Sequence, residues 1–328
     1  MIEDLIKFEL FLYGDDEYEQ TEILDVDFWV NRIVNLPANR PFCLQKAVQL
    51  CIQYCQNSCF RELFLKKSVG LCPVLTYKLY KSGVYRFDEI KPFLEGDHNL
   101  VLYYYFRKEI PDFNHFIRHK RGPYSSEKEF FEKEAEIDLL IEYGFVPGTL
   151  EYCMKYDDID VFREIFTSEG GRTKWSPFEW SRSPVYIDFL SFSGFFGSVQ
   201  CFKHLLMNGY ELKLSSRSIV VCSGNLDLFH LCREISNDYS AYACFATEFC
   251  RNSILSFLLD NGANVDSSNF TDFTLLHFAV IYGHLSLVDY LVKKGADINA
   301  LDASILFFPI ITPLFIMLPR DIIVLSNS

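Results

Sequence analysis

The sequence predicts an all-α fold, an α-solenoid in which short pairs of helices stack side by side. Helical apolar patterns recur along the chain and close on glycine, and the turn between paired helices returns again and again. From one turn to the next the intervals are 40, 27, 26 and 33 residues, for turns at Asp157, Gly197, Gly224, Cys250 and Gly283. This uneven spacing indicates that the loops joining the pairs have been trimmed or expanded.

The clearest unit covers residues 272–302. Thr274 and His277 mark the start of its first helix, where a hydroxyl and an imidazole can hydrogen-bond the backbone. Gly283 ends that helix and Gly295 ends the second, because glycine tolerates the left-handed backbone found at helix ends. We expect eight apolar residues of this unit and the one before it to be buried: Leu258, Leu259, Leu276, Ala279, Leu287, Val288, Leu291 and Val292.

These residues resemble an ankyrin repeat. Residues 274–277 correspond to the Thr-Pro-Leu-His opening of the family, with Leu275 in place of proline. Residues 295–299 read GADIN and resemble the segment that starts the family's β-hairpin finger, and a similar segment begins 33 residues earlier at Gly262. The resemblance implies an ankyrin-type solenoid with short or trimmed hairpin loops, whose helices and hairpins form a concave protein-binding face.

Three regions are expected along the chain. About five ankyrin-like repeats occupy residues 131–303 and are clearest at 237–303. Residues 1–130 form a helical region of eroded repeats or a separate cap over the first apolar face. Within it, residues 73–94 resemble the divergent N-terminal region of large protist families of ankyrin-repeat proteins. Two segments look like helices that close on glycine: Leu75–Gly83 and Leu139–Gly144.

Composition favours a cytoplasmic protein that does not bind nucleic acid. The net charge of −13 repels phosphate backbones, and the basic run at residues 118–121 has acidic flanks typical of a solvated helix end. The first residues carry acid where a signal peptide would be basic. The 11 scattered cysteines indicate reduced thiols in a reducing compartment.

No residue pattern predicts a metal site, a cofactor or an enzyme. Cys51, Cys55 and Cys59 recur every four residues, so we expect them on one face of one helix, buried as small apolar side chains. No CxxC pair or histidine cluster completes a ligand set. His115 and His119 lack the glutamate of a metalloprotease motif, and no GxSxG sequence is present.

The tail at residues 304–328 contains an uncharged apolar run, Ile305–Leu318. At 14 residues it is short for a spanning helix, which needs about 20, and Pro309 and Pro313 interrupt it. Membrane insertion is therefore disfavoured. A buried terminal cap or a disordered or aberrant end are the other interpretations.

The resemblance implies a protein–protein interaction module that binds a protein partner through the concave ankyrin face, and we expect it to be a monomer. One alternative is a substrate adaptor of a larger assembly such as a ubiquitin ligase, with the N-terminal region docked on the machinery. A second alternative is a membrane-proximal scaffold held by the apolar tail.

The hairpin tip and the end of the first helix are expected to carry the contact residues. In the clearest repeat these are Phe270, Thr271, Phe273, Ile281 and Tyr282. The helix-end position of the other repeats holds Phe249, Ser223, Phe196 and Tyr156. With Tyr282, four of these five helix ends are aromatic, and aromatic residues are enriched at binding hot spots. This aromatic stripe is either a contact surface or a set of rings that fold into the core.

Overall fold

A computed structural model describes residues 26–27, 29–30, 33–34, 43–94, 100–118, 131–167, 171–179, 186–233, 239–249, 251–269, 272–281 and 284–300. Helices dominate, which confirms the predicted all-α fold, and one two-stranded ribbon interrupts them. The chain forms two compact units. The described part of the first comprises residues 26–193 and 200–210, and that of the second comprises residues 194–199 and 211–300.

The first unit begins with six helices: α1 Leu44–Tyr54, α2 Ser58–Leu71, α3 Pro73–Lys81, α4 Phe87–Leu94, α5 Leu100–Tyr105 and α6 Phe113–Arg118. The Asn57 side chain accepts a hydrogen bond from the Phe60 amide at 3.1 Å and so caps α2. Pro73 occupies the first position of α3, where its missing N–H is not needed. Helix α3 packs against α1, α2 and α5, which makes it the centre of this region.

The rest of the first unit contains helices and the ribbon. They are α7 Ile137–Tyr143, α8 Leu150–Tyr156, α9 Ile159–Ile165, β1 Arg172–Lys174, β2 Tyr186–Asp188, the start of α10 Phe189–Phe196, and α11 Val199–Met207. Thr149 caps α8 by accepting from the Tyr152 amide, and Asp158 caps α9 by accepting from the Val161 amide. Strands β1 and β2 pair antiparallel with Thr173 opposite Ile187.

The second unit contains the end of α10 and six further helices: α12 Leu214–Val220, α13 Leu226–Arg233, α14 Ser240–Glu248, α15 Asn252–Asp260, α16 Leu275–Ile281 and α17 Leu285–Lys293. A 3₁₀ turn at Val221–Ser223 extends α12. Helix α14 packs against α15 and α16, and α16 packs against α17. The two helices of each pair therefore contact each other, and the first helix of one pair contacts the first helix of the next.

Five helix pairs follow one another between residues 150 and 293, each joined by a turn of two or three residues. Where the structure describes the first turn residue, three have a left-handed backbone: Asp157 at φ 56°, Gly197 at φ 78° and Gly224 at φ 75°. Asp157 stands where the next two turns have glycine. Its carboxylate accepts hydrogen bonds from the amides of Gln200 at 3.0 Å and Cys201 at 2.9 Å, at the start of α11. Those bonds offset the strain of a side chain in this backbone region.

The residue after each turn of the second unit reaches back to the preceding pair, and we call these three contacts the turn ladder. The side-chain Nδ2 of Asn225 donates to the Gly197 carbonyl at 3.4 Å. The Arg251 guanidinium donates to the Cys222 carbonyl through two nitrogens, at 2.9 and 2.7 Å. His284 Nε2 donates to the Glu248 carbonyl at 3.3 Å. All three acceptors lie near the end of a first helix, where carbonyls lack partners within the helix.

Loop lengths explain the uneven intervals between turns. The ribbon β1–β2 lies between α9 and α10 and accounts for the interval of 40 residues. Before α16 a bridge between Ser268 and Thr274 closes the hairpin finger. The predicted trimming and expansion of hairpins is therefore visible in the structure.

Six of the eight predicted core residues are buried: Leu258, Leu276, Ala279, Leu287, Val288 and Leu291. Leu259 and Val292 are half-buried. The prediction of complete burial is wrong for these two, since each lies one position beyond a fully buried residue and so towards the edge of the packed face of its helix. The core between the last helix pairs otherwise follows the apolar pattern.

Replacing Leu291 with alanine should lower the free energy of unfolding by about 2–5 kcal/mol, because Leu291 is fully buried between helices. Denaturant unfolding followed by circular dichroism measures the loss. The control Lys293→Ala changes an exposed side chain of the same helix and should have little effect. Equal effects in the two variants would contradict this packing.

Replacing Asp157 with alanine should cost about 1–3 kcal/mol, because it removes the acceptor of the amides at the start of α11 and keeps a Cβ in a left-handed backbone. Asp157→Asn should retain most of the stability, since asparagine tolerates this backbone and keeps one oxygen acceptor. Denaturant unfolding compares the two. A larger loss for asparagine than for alanine would rule out this role.

Candidate functional site

The last helix pair and its finger show why the Thr-x-x-His pattern occurs where it does. Thr274 Oγ1 and His277 Nδ1 lie 2.8 Å apart, and the Thr274 amide donates to His277 Nδ1 at 3.2 Å. Asn269 Oδ1 accepts from the Phe273 amide at 3.0 Å and holds the finger closed. Both ring and hydroxyl are buried, so these residues are structural and fix the finger against α16.

Two residues of the predicted contact set are described in this repeat, one at each end of α16. Ile281 ends α16 and is 49% exposed. Phe273 is half-buried, with its ring 5.5 Å from His277 and 6.1 Å from Phe278 between centroids. Phe270, Thr271 and Tyr282 lie outside the described residues, and their part in the contact surface stays a prediction. We call Phe273 and Ile281 the finger surface.

Phe196 and Phe249 occupy the same helix-end position but are only 6% and 9% exposed. The Phe249 ring packs edge-on against Phe195 with centroids 6.1 Å apart. Phe196 also packs edge-on against Phe195, at 5.2 Å. An exposed aromatic stripe that includes these two rings is therefore wrong, because Phe195 gives both an apolar neighbour in the core. Ser223, the small residue at this position, is half-buried and donates to the Val220 carbonyl at 2.8 Å.

Tyr156 in the first unit is 44% exposed, and it is one of three neighbouring tyrosines. The rings of Tyr152 and Tyr156 lie 4.6 Å apart, and Tyr143 meets Tyr152 edge-on at 6.0 Å. We call these three residues the tyrosine group. They join the end of α7 to one side of α8, and their rings are inclined to one another, at 45° between Tyr152 and Tyr156 and at 82° between Tyr143 and Tyr152.

A largely buried ion pair lies next to the tyrosine group. Lys155 Nζ lies 2.5 Å from Glu179 Oε2 and also donates to the Tyr143 carbonyl at 2.9 Å. Burial raises the pKa of Glu179, against the lowering effect of Lys155. Gly144 makes room for this pair, because a Cβ there would overlap the Glu179 carboxylate.

Tyr143 and Tyr156 present neutral phenol groups. Burial raises the pKa of Tyr156 to about 12, and the negative charge of Glu179 adds to the effect. A hydrogen bond with Glu142 raises the pKa of Tyr143. Lys155 Nζ lies 5.2 Å from the centre of the Tyr156 ring and makes a cation–π contact. The group can therefore offer stacking and hydroxyl hydrogen bonds without carrying charge of its own.

The three spaced cysteines do not share one helix. Helix α1 ends at Tyr54 and α2 starts at Ser58, because Asn57 caps the new helix. Cys51 and Cys55 are buried and Cys59 is exposed, which corrects the expectation of one buried stripe. Burial raises the pKa of the Cys51 thiol well above its usual value, so it stays protonated.

Within the described ranges, no three His, Cys, Asp or Glu side chains are placed to hold a metal ion. His115 is exposed on α6, while His119 lies outside the described residues, as does most of the basic run at 118–121. No helix in the described part of the chain has the length and apolar character needed to cross a membrane. The tail at residues 304–328 lies beyond it.

The comparison with protein families decides the nature of the helix pairs. The family described as ankyrin repeats matches residues 190–302, in three copies. Residues 190–302 are ankyrin repeats. The ankyrin match runs from α10 to α17, which contain four of the five helix pairs, and it includes the finger surface. No curated protein matches the chain.

Several residues beside these surfaces were not predicted from the sequence. Lys155, Glu179 and Tyr152 belong to no ankyrin motif, and their meeting depends on contacts between residues 24 positions apart. The interval of 40 residues between the turns at Asp157 and Gly197 was the one signal that an additional element lay there. Arg251 could have been found by aligning the residue after each turn.

Phe249→Ala should lower the free energy of unfolding by about 3–5 kcal/mol, because a buried ring is removed from the ankyrin core. Tyr156→Ala should cost clearly less, since almost half of that side chain is exposed. Denaturant unfolding of both variants provides the comparison. A cost for Tyr156→Ala that equals the cost for Phe249→Ala would place Tyr156 in the core.

Proposed function

We propose that this chain is a protein-binding module that contacts its partner through the finger surface and through the tyrosine group. The observation that carries the proposal is Ile281, an apolar residue that ends the first helix of the clearest ankyrin repeat and remains 49% exposed. Ankyrin repeats generally mediate protein–protein interaction, and the concave face that does so includes this position.

The core of an ankyrin repeat is rigid, while the residues of its finger and of the end of its first helix are free to vary. Thr274, His277 and the turn ladder fix the backbone around Ile281, so a partner would meet a preorganised surface. Ile281 forms part of that surface, and its apolar side chain is unfavourably exposed to water. A partner that covered Ile281 would remove this apolar surface from water.

The tyrosine group supports a second contact in the first unit. Tyrosine supplies a large contact area with few rotatable bonds, and it is enriched among residues that dominate binding energy. Lys155 lies against the Tyr156 ring and is itself held by Glu179, so Tyr156 would lose little freedom when a partner binds. The surface is neutral, which favours a partner that stacks on the rings.

Capture with the full chain tests this function. Wild type, Ile281→Asp and Met207→Asp are immobilised, and proteins retained from a lysate of the source cells are quantified by mass spectrometry. Ile281→Asp should reduce retention of at least one protein about tenfold, because it charges the contact. Met207 is 86% exposed at the end of a second helix and matches the chemical change away from the finger surface.

Equal loss in both aspartate variants, or no loss in either, would contradict a role of the finger surface. The same experiment addresses the adaptor alternative. A ubiquitin-ligase component retained equally by wild type and by Ile281→Asp would support an adaptor, since a surface other than the fingers would then hold the machinery.

A further inference from the structure

The tyrosine group forms an aromatic surface that spans helices α7 and α8, outside the residues that match the ankyrin family. Tyr156 is 44% exposed, and Tyr143 and Tyr152 are half-buried. Leu139, one turn before Tyr143 on α7, is exposed too. Apolar and aromatic side chains that share one exposed surface often mark a site of interaction.

The rings of the tyrosine group suit a planar ligand. Tyr152 and Tyr156 lie 4.6 Å apart between centroids at an angle of 45°, and Tyr143 meets Tyr152 at 6.0 Å and 82°. A planar group can therefore lie on the face of one ring while it contacts the edge of a second. The guanidinium of arginine is planar, is weakly hydrated and stacks on aromatic faces.

The charges that act on the tyrosine group are negative. A hydrogen bond with Glu142 and the charge of Glu142 raise the pKa of Tyr143, and burial together with the charge of Glu179 raises the pKa of Tyr156. Residues 137–158, which contain α7, α8 and the turn after α8, carry five carboxylates and one lysine. This surface therefore favours a cationic ligand.

Glu142 is the acid of α7 that can meet such a cation. The other acid of this helix, Asp138, is bound by Arg107 at 2.7 Å and by Lys108 at 2.9 Å. Glu142 is exposed and accepts a hydrogen bond from the Tyr143 phenol, which uses one of the roughly four acceptor positions of a carboxylate. A guanidinium can donate two parallel hydrogen bonds to a carboxylate, so one group can contact both Glu142 and a ring.

Lys155 contacts the Tyr156 ring from its protected side. The Lys155 Nζ atom lies 5.2 Å from the ring centre, and the lysine side chain is 10% exposed, much less than the tyrosine. Glu179 Oε2, at 2.5 Å, balances the lysine charge. A cation that arrives from solvent therefore meets the open side of the rings, with a neutral ion pair behind them.

We propose that the tyrosine group binds an arginine side chain in a basic segment of the partner protein, with its guanidinium stacked on a tyrosine ring and hydrogen-bonded to the Glu142 carboxylate. This inference rests on the proposed function and names the chemistry of the partner. A proline-rich segment also suits tyrosine rings, but it would gain nothing from Glu142. The carboxylate beside the rings is the observation that favours arginine.

Fluorescence anisotropy with labelled peptides tests the ligand. Three peptides of equal length differ at one central position, which holds arginine, lysine or glutamine, and a proline-rich peptide is added. Each is titrated with the full chain. The arginine peptide should bind at least about tenfold more tightly than the glutamine peptide and more tightly than the lysine peptide, and added salt should weaken it. Equal binding of the arginine and glutamine peptides, or tightest binding of the proline-rich peptide, would overturn the proposal.

Variants of the full chain place the contact. Tyr156→Leu keeps an apolar side chain but removes the ring, and should weaken the arginine peptide about fivefold, whereas Tyr156→Phe should bind nearly as wild type. Glu142→Gln should weaken it about tenfold and reduce the salt dependence. Glu62→Gln removes the same charge from an exposed residue of α2 and should leave binding unchanged. Equal effects of the two glutamine variants would show a general charge effect and no site.

The capture experiment separates this inference from the proposed function. A partner lost by Ile281→Asp but retained by both Tyr156→Leu and Glu142→Gln would refute the arginine contact and leave the protein-binding function in place. A partner retained by all three variants would contradict both. Loss in Tyr156→Leu and Glu142→Gln, with retention in Glu62→Gln, is the expected result.

Discussion

Hydrogen bonds from the residue after each turn to the preceding helix pair hold the ankyrin repeats in register. Asn225, Arg251 and His284 differ in size and charge, yet each donates to a carbonyl near the end of the previous first helix. Carbonyls at a helix end lack the partners that the helix interior provides, and satisfying them removes a cost of burying the helix end. Because the requirement is only a donor within reach, the repeats keep this bond while their motifs diverge.

The need of each buried group for a suitable neighbour also explains which helix-end positions remain exposed. Helix ends that meet an apolar neighbour fold inward, as Phe249 does on Phe195. Tyr156 stays at the surface because its neighbours are the charge of Lys155 and the polar edges of other tyrosines. Equivalent positions in a repeat therefore differ in burial according to their local neighbours, and a contact surface is set by packing as much as by repeat position.

The first unit contains an insertion, the ribbon β1–β2, between α9 and α10. The ribbon is attached by one buried cross-strand pair, and its outer face is left to carry Arg172, Lys174 and Tyr186. The ion pair of Lys155 and Glu179 depends on the glycine at position 144 for its space. Such features arise from residues far apart in sequence, which is why a repeat pattern does not reveal them.

The sequence by itself determined the helix pairs, their turns and most of the core, because a helix of fixed period must show its buried face as a spacing of apolar residues. It also identified Thr274 and His277, whose bonds are local. Only the tertiary structure decided the burial of Phe196 and Phe249, the separation of Cys59 from Cys51, and the presence of the ribbon β1–β2. These depend on which distant residues meet, and that is settled by packing between elements, which the local pattern does not encode.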